Sequence, residues 1–91
     1  MKYKIIKTVR LKEKKSTGFT KHIVDESLIN DNIKELKIIN YPEDSGYYLF
    51  YCDDKGFQIT DTYHDSITAA LEQAELEFKV KPDEWEDNSV K

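Results

Sequence analysis

The sequence predicts an α+β domain: an antiparallel sheet of four to five strands, arranged as a meander and hairpins, with one main C-terminal helix packed on one face. Three observations carry this. Residues 47–52, YYLFYC, are apolar or aromatic on both parities, as a central strand requires. The run Asp53-Asp54-Lys55-Gly56 has the residues of a type I turn closed by a left-handed glycine, so residues 57–63 return antiparallel. Residues 66–80 then place Ile67, Ala70, Leu71, Ala74 and Phe78 in a narrow arc at about 100° per residue, the pattern of an amphipathic helix.

The remaining elements follow in chain order. In residues 3–12, Tyr3, Ile5, Val9 and Leu11 alternate with Lys4, Thr8, Arg10 and Lys12, and Ile6-Lys7 breaks the alternation. That pattern predicts a strand at the sheet edge or one carrying a bulge. Residues 13–18 form a polar turn and residues 19–24 return, making residues 1–25 a basic β-hairpin. A short helical turn is expected at Glu26–Ile29, ended by Asn30-Asp31-Asn32. Residues 33–63 form a β-meander, with turns at residues 42–46 and 53–56. Asp65 or Ser66 caps the helix, Glu75 and Lys79 are spaced to pair along it, and Pro82 ends it. Residues 81–91 are a tail whose Trp85, the only tryptophan, folds back on the domain.

Ninety-one residues make one domain, 1–91, burying roughly 65% of the surface its unfolded chain exposes. The N-terminal MKYKIIKTVRLK alternates lysine with apolar residues and lacks the unbroken apolar run of a signal peptide. No stretch approaches the ~20 apolar residues of a membrane span. A single cysteine, Cys52, excludes an internal disulfide and points to a reducing, cytoplasmic setting. The net charge of −4 is divided unevenly. Residues 1–21 hold eight Lys/Arg and one Glu, a charge of +7, leaving −11 for residues 22–91. The division implies two segments that attract each other within one fold rather than a free basic surface.

The residues offer little catalytic chemistry. Gly18, Gly46 and Gly56 stand singly in turns, not in a phosphate-binding loop. His22 and His64 form no metal-ligand spacing, so neither metal nor cofactor is expected. Cys52 or Ser66 beside His64 is outweighed by the ordinary role of a mid-strand cysteine as a small buried hydrophobe. The polar junction Asp61-Thr62-Tyr63-His64-Asp65 supplies the weak catalytic candidates Asp61, His64 and Asp65. Turn and capping bonds account for it more simply.

A protein partner, or self-association, fits the surface chemistry better than nucleic acid. The sheet face away from the helix must meet water or a partner, and tyrosine suits such a face. The partner-binding candidates are Tyr47, Tyr51, Tyr63, Glu72, Leu76 and Val80, with Ala69, Leu76 and Val80 forming a second apolar stripe on the helix. Glu72, Glu75, Glu77, Asp83, Glu84 and Glu86 would steer a basic partner. The function expected is therefore a non-enzymatic, small acidic protein-binding module, immunity-like or regulatory. Two alternatives stand beside it. One is a small enzyme or metal-dependent activity centred on Asp61, His64 and Asp65. The other is nucleic-acid binding through the basic N-terminal strands, with lysines on phosphates and Tyr3, Phe19 and Tyr47/Tyr48 on bases.

Through GYYLFYCDDKG, TDTYHDS, ALEQAELEF and VKPDEW, residues 46–85 resemble a segment of small single-domain bacterial proteins of unknown function. That group has no assigned activity, so the resemblance implies no catalytic residue. A looser similarity, in size, acidity and α+β layout, is to the immunity proteins that neutralise bacterial toxins.

Overall fold

Residues 3–12, 14, 16–18, 21–24 and 27–87 are described by a computed structural model. Its strands are β1 (Lys4–Arg10), β2 (Ile23–Val24), β3 (Ser27–Leu28), β4 (Glu35–Asn40), β5 (Tyr47–Cys52), β6 (Gln58–His64) and β7 (Glu86–Asp87), with one α-helix, α1 (Ile67–Phe78). Five strands form an antiparallel sheet in the order β6-β5-β4-β1-β7, and α1 packs across one face of it. The expected α+β architecture is thus present, including the β4–β5–β6 meander.

The N-terminal pairing differs from the expected hairpin of residues 1–25. Strand β1 pairs with β4 and, at Lys7 and Thr8, with β7. Among the described residues, strand β2 pairs only with β3, in a separate two-stranded ribbon. Phe19 and Thr20 of the proposed return strand lie outside the described residues. The reason for the β1–β4 pairing is burial: it places Val9 opposite Leu36 in the core, where a local hairpin would leave β4 without a neighbour on that side. Ser27 and Leu28 are strand where a helical turn was expected, and the helical turn falls instead at Asn30–Asn32 as a 3-10 turn.

The irregularity at Ile6-Lys7 is a β-bulge, with the register to β4 shifting between Ile5 and Lys7. A bulge inserts one residue and so reverses the parity of the strand beyond it. Tyr3 and Ile5 therefore face away from α1, while Val9 and Leu11 join the core beneath it, correcting the single face expected for all four.

Helix α1 begins where Ser66 Oγ accepts the Ala69 N–H at 3.0 Å; of the two expected caps, Ser66 is the one used. Ala70, Ala74 and Phe78 are buried, and Leu71 packs against the same core. The alanines let the helix axis approach the sheet closely. The helix stops at Phe78, earlier than the expected Val80, because Lys79 takes the left-handed conformation at φ 61°. Lys79 thereby leaves the helical row, and Glu75 pairs instead with Lys81 at 2.8 Å. Pro82 opens a 3-10 turn, Pro82–Glu84, which returns Trp85 to the core. Among the described residues no helix is long and apolar enough to cross a membrane.

Candidate functional site: an aromatic sheet face and a buried carboxyl cluster

Alternation along β5 sends Leu49 and Tyr51 toward α1, and Tyr48, Phe50 and Cys52 to the opposite face. Antiparallel pairing sets Tyr48 between Ile39 and Tyr63, and Phe50 between Lys37 and Asp61. The bulge in β1 adds Tyr3 and Ile5 to this second face. The result is a chain of edge-to-face rings. Phe50 meets Tyr3 at 5.4 Å, Tyr3 meets Tyr41 at 5.7 Å, Tyr41 meets Tyr48 at 5.3 Å and Tyr48 meets Tyr63 at 5.1 Å. Such geometry adds attraction beyond the area the rings bury. Ile39, Phe50 and Cys52 are sealed beneath, whereas Tyr3 and Tyr63 stay 42% and 48% exposed. Among the described residues no helix covers this face.

The turn before β5 fixes one end of the ring chain. Asn40 Nδ2 donates to the carbonyls of Asp44 and Gly46, and Asp44 Oδ1 accepts the Gly46 N–H. Tyr63 lies directly over Gly46, where an added Cβ would sit 2.0 Å from the phenolic oxygen. Glycine is therefore a steric requirement of the tyrosine's position. Tyr48 donates to Asp44 Oδ2 at 3.1 Å, and that bond raises the phenol's pKa above its ordinary value. The cations near this face are already engaged: Arg10 with Glu35 and Asp54, and Lys37 with the Gly56 carbonyl. Asp61 is exposed and accepts from Gln58 Nε2 at 3.0 Å. Burial pushes the Cys52 thiol up to about 11, which keeps it protonated and unreactive.

On the other side of the sheet lies a cluster that the sequence pattern did not reveal. Glu77, on the apolar side of α1, has no solvent exposure. Its carboxyl oxygens lie 2.7 Å from His22 Nε2, 2.6 Å from the Tyr51 hydroxyl, which donates, and 2.5 Å from Gln73 Nε2, which also donates. The His22 ring lies tilted against Tyr51, with ring centres 4.1 Å apart and planes at 45°. Thr62 Oγ1 extends the network, 3.3 Å from Tyr51 and 2.8 Å from His64 Nε2. Burial, reinforced by the Glu77 bond, drives the Tyr51 pKa far above its ordinary value, so this phenol remains a donor. Burial also lowers the His64 pKa, opposed by the charges of Glu77 and Asp65. The cluster fastens the irregular segment carrying His22 to the helix, aided by Thr17, which bonds the carbonyls of Glu77 and Leu76. The available signal was that Glu77 lies one heptad after Ala70, about 20° from it around the helix. No local pattern around His22 announced its burial.

The expected site residues separate accordingly. Tyr63 is on the aromatic face, and Glu72 and Leu76 are exposed on α1. Tyr47 is half-buried on the helix side. Tyr51 and Val80 are fully buried and offer nothing to a partner. Strand parity turns Tyr51 under the helix, and the left-handed Lys79 turns Val80 into the core. Ala69, Leu76 and Val80 therefore form no continuous stripe. Glu77, expected on the acidic surface, is likewise interior. Asp61, His64 and Asp65 do not converge: Asp61 bonds Gln58, His64 bonds Thr62, and Asp65 is exposed beside the capping Ser66. Among the described residues no cluster of three or more His, Cys, Asp or Glu side chains is arranged to hold a metal ion. Comparisons with models of known families, with curated proteins and with solved structures find no match.

Proposed function

We propose that this chain is a small protein-binding module, immunity-like or regulatory, that docks a basic segment of its partner on the helix-free sheet face. The observation that carries the reading is the ring chain Phe50–Tyr3–Tyr41–Tyr48–Tyr63, with two of its tyrosines about half exposed. Tyrosines held rigidly by one another lose little side-chain freedom on binding, and they accept arginine or lysine over their ring faces. Charge supports the same partner. Asp61 is exposed on this face, while Arg10 is ion-paired within the fold and Lys37 is held by the Gly56 carbonyl. The chain's −4 net charge and the exposed Glu72, Asp83, Glu84 and Glu86 supply a longer-range field for encounter.

The test is a comparative pull-down from the native host at about 50 mM salt, where such a field is weakly screened. Wild-type protein should retain a basic partner that the double variant Tyr3→Ser/Tyr63→Ser loses and Glu72→Gln keeps. Equal retention by the tyrosine variant would remove the partner from this face. Recovery of no partner at low or high salt would count against the module itself.

A further inference from the structure

Strand β6 forms one edge of the sheet, and among the described residues no strand pairs with its outer side. The direction of its backbone groups follows from the ladder. The Cys52 C=O accepts the Lys34 N–H, so Cys52, Phe50 and Tyr48 bond toward β4, while Tyr51, Leu49 and Tyr47 bond toward β6. The partners of those three are Thr60, Thr62 and His64. Asp61 and Tyr63, lying between them, therefore turn their N–H and C=O groups away from the sheet. Exposed edges are ordinarily blocked by lysine, proline or a covering segment. The opposite edge is blocked in this way, since β7 covers part of β1 and Lys7 pairs with Asp87 there. Strand β6, by contrast, holds no lysine, arginine or proline, and its bulge lies near its start, at Ile59.

We infer that β6 pairs antiparallel with β6 of a second copy of this chain, about a two-fold axis through Thr62, joining the two sheets into one. Hydrogen bonding and charge select this register. An axis between two residues would set outward backbone groups against inward ones, so it must pass through a residue. An axis through Asp61 would oppose the two Asp61 carboxylates, and one through Tyr63 would oppose Asp61 and Asp65; like charges directly opposite are unfavourable. An axis through Thr60 would run the new ladder into the bulge at Ile59. With the axis at Thr62, Asp61 exchanges both backbone bonds with the partner's Tyr63, and Tyr63 does so with the partner's Asp61. Every outward N–H and C=O of this stretch is then used. Thr62 meets the partner's Thr62, Thr60 meets the partner's His64, and no like charges face each other. The strand is its own complement, which selects a second copy over an unrelated segment. The axis also keeps like faces together, so the two aromatic faces adjoin. The pairing rests on backbone groups and stands independently of the docking proposed above.

One strand pair is smaller than the interface of a stable complex, so the association is weak. In sedimentation velocity the mean mass should rise toward that of a dimer between about 20 µM and about 1 mM protein. Each copy carries −4, so association should strengthen as salt rises from about 50 to about 300 mM, opposite to field-driven docking. Over the same protein range, hydrogen exchange of the Asp61 and Tyr63 amides should slow about fivefold, while Thr60 and Thr62 stay protected throughout. In a mixture of carbon-labelled and unlabelled chains, a contact between the Thr62 Hα protons of the two copies marks the register. Asp61→Pro removes an outward N–H and leaves the bonds to β5, so it should stay folded and monomeric. Tyr3→Ser should associate as wild type does. A monomer at about 1 mM, association with Asp61 and Tyr63 exchange unchanged, or equal association of Asp61→Pro would overturn the assignment.

Discussion

Among single residues, Glu77 has the most consequence for stability. A carboxyl group without solvent contact is tolerated in a core only when its oxygens are satisfied, and here His22, Tyr51 and Gln73 surround it. Tyr51→Phe keeps the ring and removes one donor, so it should cost about 1–3 kcal/mol. Urea unfolding would check this, the midpoint falling with the m-value unchanged. His64 makes a separate, pH-dependent contribution. Burial lowers its pKa from the ordinary 6.5, so the folded state binds this proton less readily than the unfolded state does. Its contribution is therefore complete above about pH 6.5 and is lost as pH falls through the lowered folded value. Melting temperatures between pH 7.5 and 5 should fall more steeply for wild type than for His64→Gln. Parallel curves would refute the assignment.

At the scale of elements, what could be read from the sequence was what is local. The β5–turn–β6 unit depends on one apolar run and one glycine, Gly56, which indeed takes φ 87°. Helix α1 depends on a periodicity that the structure reproduces to within two residues at its end. What escaped was non-local. The partner of β1 is decided by which strand can bury Val9 and Leu11, and that competition leaves no trace in residues 1–25. A tyrosine-bearing face away from the helix was legible, but which tyrosines share it was not, for a related reason. Tyr3 joins Tyr41 only because the bulge at Ile6-Lys7 reverses parity, and Tyr51 leaves the surface only because α1 covers its side of the sheet. The broken alternation at Ile6-Lys7 allowed a bulge or an edge strand, and neither reading carried the effect on which tyrosines share a face.

Across the whole molecule, the unequal charge of the two segments resolves into contacts between them. Lys7 meets Asp87, Arg10 meets Glu35 and Asp54, and Lys14 meets Glu84. These pairs are largely solvent-exposed, so each adds little stability, but together they hold the basic strand against an acidic remainder. The sheet then has two unlike faces, one closed by α1 over the Glu77 cluster and one presenting tyrosines to solvent. The central claim is that the second face is where a partner binds. Hydroxyl-radical footprinting of the protein, alone and with the partner retained in the pull-down, tests it residue by residue. The account predicts that labelling of Tyr3 and Tyr63 drops several-fold in the complex while Leu76 on α1 stays unchanged. Protection of Leu76 with Tyr3 and Tyr63 still fully labelled would contradict it.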